Sequence, residues 1–342
     1  MGHILSAGPN RRIAGLVRAL LGAIVVTTSA LPVSSGYLHA QQLAQSPAPS
    51  ADALFRDAAR FLEEGRYPEA IQGFRKFWQM EPSNILGLRG VAEGMIRQGQ
   101  MDEALQMVRA EAEKYPARAD IRNLLANTAV RAGRFDESIA AFEALLAQAD
   151  PQSAEAGKLH LQIGETYRRK GDLEAAITNL REAVKLLPEN ALARTTLAMA
   201  LDSAGKRSEA ESAYRSAIER DPENAIALNN LAYLLCENHG DLDEALDLAQ
   251  RAHALLPNLT EVSDTLGWID LKMARTEDAI LAYRNLVQKE PAQPEHRYHL
   301  AMAFQQKGDR TAASEQLHAA LELHPPADLE TKIRRLLEAL GN

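Results

Sequence analysis

Cysteine is nearly absent. Cys236 stands alone in 342 residues, so no intrachain disulfide can form and stability must come from packing. Aromatic side chains are also scarce, at 5%, whereas alanine and leucine abound. That balance disfavours a β-rich fold and suits helices packed closely through small residues. The glycines are isolated, so there is no glycine-rich loop to cradle a phosphate. Positive charge is in deficit: 38 Lys and Arg against 46 acids leave a net −8. An acidic body repels phosphate backbones and anionic membrane surfaces, which argues against nucleic-acid binding. Metal-ligand spacing is poor as well. Cys236 and His239 are three apart with no further ligand nearby, and His296 and His299 lack the glutamate of a metalloprotease helix. No catalytic group, metal or cofactor is expected.

One long uncharged run does occur, near the start. Arg11, Arg12 and Arg18 precede Ala19–Leu31 without an acid, the order of a basic region and an apolar region in a secretory signal. The run is short for a membrane span of about 20 residues. Residues 1–40 therefore read as a signal peptide or, alternatively, an uncleaved N-terminal anchor. Removing those three positive charges from a net of −8 would leave −11. Residues 41–50 (QQLAQSPAPS) read as a flexible linker. The expected location is periplasmic or secreted after cleavage, or inner-membrane anchored and facing the periplasm.

What is abundant is internal repetition. Pro82, Pro116, Pro188, Pro222, Pro257, Pro291 and Pro325 are separated by 34, 72, 34, 35, 34 and 34 residues, and Pro151 marks the boundary missing from the long interval. Gly65, Gly99, Gly133, Gly171, Gly205, Gly240 and Gly308 form a second series, each inside one period. The first period carries Leu54, Ala58, Phe61, Ala70, Phe74 and Pro82; the fourth carries Ile163, Gly164, Tyr167, Ala176, Leu180, Ala183 and Pro188. This pattern resembles the tetratricopeptide repeat, in which each unit is a pair of antiparallel helices, A and B.

The resemblance covers residues 51–327 as eight units: 51–84, 85–118, 119–152, 157–190, 191–224, 225–259, 260–293 and 294–327. Residues 328–342 form a capping helix, with Asp328 expected as its N-cap and Leu329, Ile333, Leu336, Leu337 and Leu340 along one face. The implied fold is an all-α solenoid coiled into a right-handed superhelix, each unit burying the next. Local chemistry fits. Glycine permits the left-handed turn after helix A, acids such as Glu69, Asp136, Glu174 and Glu277 start helix B, and Asn84, Asn190 and Asn224 cap the next helix A. Three departures stand out. Ala274 replaces the turn glycine, so its backbone is expected to differ; Ser138 replaces a small apolar residue; and Gln152–Ala156 is a linker that loosens the stack.

In this family the A helices line a concave groove that binds peptides or partner proteins. Carried across by register, the resemblance implies a lining of Asn123, Asn127 and Arg131; Gln162, Glu165, Arg168 and Arg169; Thr195, Thr196 and Met199; Asn229, Asn230 and Tyr233; Asp264, Thr265 and Trp268; and Tyr298, His299 and Met302. Asparagines both donate and accept, which suits an extended peptide backbone. Arg131, Arg168 and Arg169 suit an acidic segment, and Tyr233 and Trp268 an aromatic anchor. The lysine and arginine set that clamps a terminal carboxylate in chaperone-binding members is not reproduced, because Leu192 and Thr196 occupy two of its places. The segments around Asn229–Tyr233 and Asp264–Trp268 resemble repeats of bacterial exopolysaccharide and envelope-assembly systems. The expected function is a non-enzymatic scaffold for protein or peptide partners in the cell envelope; the alternative is a part of a polysaccharide machine that touches glycan.

Overall fold

The computed structural model describes residues 50–238 and 240–341. The segment expected to be a signal or anchor and most of the expected linker, with His239 and Asn342, lie outside them. Among the described residues the chain is all-α, with α1 (Ala51–Glu63), α2 (Tyr67–Met80), α3 (Ile85–Arg97), α4 (Met101–Lys114), α5 (Ala119–Arg131) and α6 (Phe135–Leu146). There follow α7 (Ala154–Lys170), α8 (Leu173–Leu186), α9 (Ala191–Ser203), α10 (Arg207–Arg220), α11 (Ala225–Glu237) and α12 (Leu242–Leu255). The last five are α13 (Thr260–Lys272), α14 (Thr276–Lys289), α15 (Pro294–Lys307), α16 (Arg310–Glu322) and α17 (Ala327–Leu340). The chain divides into two compact units, up to Ala141 and from Phe142 onward, with the division inside α6. In the second unit each odd-numbered helix from α7 to α15 packs on its hairpin partner, and each from α7 to α13 also packs on the next odd helix. The odd, A-type helices thus form a continuous inner layer.

The start and stop signals act as the sequence places them. Asn84 Oδ1 accepts from Leu86 N at 3.1 Å, Asn190 from Ala193 N at 2.9 Å and Asn224 from Ala227 N at 3.0 Å. Such a cap contributes about 1 kcal/mol. Glu69, Asp136, Glu174 and Glu277 sit in the first turns of α2, α6, α8 and α14, where the helix dipole favours an anion. Six turn glycines, from Gly65 to Gly308, have φ between 70° and 91°. The residue after each donates its N–H back across the turn, as Arg66 N does to Phe61 O at 2.8 Å. This wrapped bond needs a left-handed residue, and glycine adopts that shape without cost to a side chain.

Ala274 corrects an expectation. Its backbone does not differ: φ is 56°, and Arg275 N donates to Asp270 O at 2.8 Å as in the glycine turns. The hydrogen bond dictates the conformation, and the methyl group bears the strain. Replacing Ala274 with glycine is expected to stabilise the protein by about 1 kcal/mol, read as a higher urea midpoint.

Small residues set the helix spacing. Ala58, Ala126, Ala198, Ala232 and Ala301 on A helices, and Ala70, Ala104, Ala176, Ala210, Ala245, Ala279 and Ala313 on B helices, have no exposed surface. Ser138 takes the same place on α6, fully buried, and its hydroxyl has no hydrogen-bond partner among the described residues. Two further expectations need revision. Residues 154–156 belong to α7, which starts at Ala154 under a Ser153 cap and buries Ala156, so the linker is shorter than the repeat spacing suggests. The last helix is capped at Pro326, because α17 begins at Ala327 and places Asp328 inside its first turn. Leu329, Ile333, Leu337 and Leu340 are buried and Leu336 partly so, while Lys332, Arg334, Arg335 and Glu338 face solvent. That helix covers α16 and closes the second core.

Candidate functional site

The expected lining residues fall in both units. In the first, α5 carries Asn123, Asn127 and Arg131. Asn127 Nδ2 donates to Asn123 O and Oδ1, each at 2.8 Å, so its amide N–H bonds stay within the helix. Arg131 reaches Glu93 at 2.6 Å, and Arg97 binds the same carboxylate at 2.7 Å. Burial opposes charge on Glu93, but the two arginines outweigh it and hold its pKa below the usual range.

The second unit holds the rest on α7, α9, α11, α13 and α15. Arg168 forks onto Glu165 at 2.7 and 2.9 Å, and Arg169 adds a bond at 3.1 Å. These arginines are paired within α7. Gln162 is half-buried beside them. On α9, Thr195 and Thr196 are buried and return their hydroxyls to Ala191 O and Leu192 O, which leaves Met199 as the more open neighbour. Asn229 is buried, with Nδ2 to Asn230 Oδ1 at 3.4 Å and its own Oδ1 without a partner among the described residues. Asn230 is half-buried and hydrogen-bonds the Tyr214 side chain. Burial raises the phenol pKa of both Tyr214 and Tyr233.

Asp264, Trp268 and His299, named separately from the sequence, come together. His299 Nδ1 lies 3.3 Å from Asp264 Oδ1, and its ring is flanked by Trp268, Tyr283 and Tyr298 at centroid distances of 5.0, 5.2 and 5.7 Å. The buried Tyr283 hydroxyl donates to Asp264 O at 3.3 Å. Burial opposes ionisation of Asp264, but the hydrogen bond and charge of His299 prevail and hold its carboxyl below the ordinary range. Trp268 Nε1 donates to Glu237 Oε1 at 2.9 Å, and the Lys272 ammonium lies 4.6 Å above the indole. The His299–Asp264 and Trp268–Glu237 contacts join A helix to A helix across repeats, so they line the inner layer as well as hold it.

Sequence reading missed several members. Glu237 and Lys272 occupy the thirteenth place of their repeats, the same place that yields Arg169, so the register itself could have found them. His296 is buried with Nδ1 unpartnered among the described residues, 4.0 Å from Glu290. Burial drives its pKa down. Asp270 sits at the eleventh place, where the other units hold Phe61, Met95, Ala129, Tyr167, Leu201, Leu235 and Phe304. A carboxylate there was the legible signal. Cys236 is buried, and that burial pushes its thiol pKa up to about 11, so it is a poor nucleophile. Among the described residues, no cluster of three or more His, Cys, Asp or Glu could hold a metal ion, and no helix is long and apolar enough to cross a membrane.

Comparison with known proteins gives the same repeat. Profiles described as tetratricopeptide repeat match residues 117–189, 195–259 and 265–328, more than half of the chain. The chain is 29% identical over 127 residues to the type IV pilus assembly protein PilF of Pseudomonas aeruginosa, covering 36% of this chain and 50% of that protein. It is 27% identical over 303 residues to cellulose synthase operon protein C of Xanthomonas axonopodis pv. citri, covering 84% of this chain and 18% of that protein. The chain thus spans half or less of the length of these curated relatives. Among solved structures, the APC/C assembly Cut9–Hcn1 superposes with a TM-score of 0.60 at 17% identity over 87% of this chain and 57% of that one, a likeness of fold.

Proposed function

The chain belongs to the tetratricopeptide-repeat family, and from that premise we propose that it is a scaffold that holds an extended segment of a partner protein. The observation that carries this reading is the A-helix wall of the second unit. There Gln162, Arg168 and Arg169 on α7, Met199 on α9, Asn230 and Tyr233 on α11, and Asp264 and Trp268 on α13 remain partly exposed, most of them polar or aromatic where packing alone would favour alanine or leucine. Amides, aromatic rings and charges spaced along parallel helices suit a backbone plus alternate side chains. In the first unit, taken by itself, α5 carries Asn123, Asn127 and Arg131, of similar residue types. The segment before residue 50, with its arginines and apolar run, supports export to the cell envelope. So does the likeness to a pilus assembly protein. The repeats form helical hairpins throughout, and their buried residues already have structural roles, which supports a non-catalytic reading.

The test is site-specific photo-cross-linking. A benzophenone amino acid at Asn230 is expected to capture a defined partner segment, and one at Glu219, exposed on α10, is not. Equal capture at both sites would reject the wall. A second reading draws on the aromatic group of Trp268, Tyr298 and Tyr233 and on the likeness to cellulose synthase operon protein C: contact with a glycan. Saturable binding of a cello-oligosaccharide, lost in Trp268→Ala, would favour it.

A further inference from the structure

The aromatic end of the wall already holds a cation of its own. Lys272 Nζ lies 4.6 Å from the Trp268 ring centroid, and 3.9 Å from Glu237 Oε1. Glu237 also accepts the indole N–H at 2.9 Å, so the carboxylate is fixed at the edge of the ring that the ammonium covers. A ring face with an anion at its rim attracts a positive group through both the ring quadrupole and the charge. Tyr233 stands one turn before Glu237 on α11, and both Glu237 and Asp264 act on it electrostatically. The Lys272 side chain is 42% exposed, so it can swing into water at little cost.

We propose that Trp268 and Glu237 form a seat for a positively charged side chain of a basic partner segment, and that Lys272 occupies the seat in the free protein. This deepens the reading of the wall and rests on it. Arginine suits the seat better than lysine. Its planar guanidinium stacks on an indole and forks onto a carboxylate at once, and it is more weakly hydrated than an ammonium. The acidic balance of the whole chain draws such a segment in. Lys272 acts as an internal competitor that keeps the seat from taking up stray cations.

The test uses the full chain with Trp78→Phe, which leaves Trp268 as the sole tryptophan reporter. The probes are a blocked Gly-Ser-Arg-Ser-Gly peptide and its citrulline counterpart, which keeps the shape and loses the charge. The arginine peptide is expected to change Trp268 emission saturably, and the citrulline peptide is not. Lys272→Ala removes the competitor and should tighten binding about two- to fivefold, the worth of an exposed pair. Glu237→Gln keeps an acceptor for the indole N–H, removes the charge and should weaken binding about tenfold or more. Unchanged or weaker binding in Lys272→Ala, or equal binding of the citrulline peptide, would overturn the seat. So would a response to a cello-oligosaccharide with none to arginine. If cross-linking at Asn230 persists under those results, the seat fails and the wall stands; loss of that cross-link would count against the wall itself.

Discussion

Replacing Gly164 with leucine is expected to destabilise the second unit by about 1–3 kcal/mol, a lower midpoint in urea or heat. A Cβ at Gly164 would lie 2.6 Å from Leu180 Cγ, 3.0 Å from Leu180 Cδ2 and 3.2 Å from Ala176 O. Leu180 is wholly buried at the facing contact of α8, and Ala176 has no exposed surface, so neither can yield without moving its helix. The α7–α8 hairpin would open, and α9, which packs on both, would follow. Gly164→Ala should cost less but keep the same sign, since even one methyl group meets backbone. In a repeat array the loss stays near the altered hairpin, so the transition should broaden as well as shift. An unchanged midpoint for Gly164→Leu would overturn the close approach of α7 and α8.

Asp270→Leu is expected to do the reverse. Asp270 is 5% exposed at a place where the repeat otherwise buries an apolar side chain, and its Oδ1 has no hydrogen bond among the described residues, although Arg275 Nε lies 3.2 Å away. Burial is the main force raising its pKa; Arg275 opposes and Asp278 adds to it, and the result is pushed up to about 6 from an ordinary 3.8. The folded protein therefore binds this proton more tightly than the unfolded chain. Stability from Asp270 is full below pH 3.8, and is lost as pH rises through about 6. Above that range the buried charge costs about 1–3 kcal/mol, which leucine would remove. Arg275 would keep Asp278 at 2.9 Å. Urea unfolding should show the variant ahead of the parent at pH 7.5, with the gap narrowing at pH 4.5. A constant gap across that range would mean that Asp270 does not titrate as its burial requires.

These two residues show why some of the site could be read and some could not. Gly164 is legible because the repeat demands a small residue there. Asp270 breaks the pattern visibly, yet nothing local says whether its carboxylate is paired, hydrated or buried unpaired. The same holds for the wall. Register alone places Asp264, Trp268 and His299 on successive inner helices. It does not say that His299 is wedged among three rings, or that Arg131 is bound by Glu93. Those outcomes depend on side chains such as His299 and Asp264, or Arg131 and Glu93, that stand 35 and 38 residues apart in the chain.

By itself the sequence determined whatever depends on spacing within one hairpin: helix lengths, asparagine caps, left-handed turns and the small residues at each close approach. Those follow from backbone geometry and from the 34-residue period, both local. Only the tertiary structure decided how the wall is charged and which of its groups are free, because that depends on which neighbours reach each side chain once the A helices stand together. Ala274 marks the border between the two. Its residue type argued for a different turn, and the hydrogen bond from Arg275 N to Asp270 O held the same one.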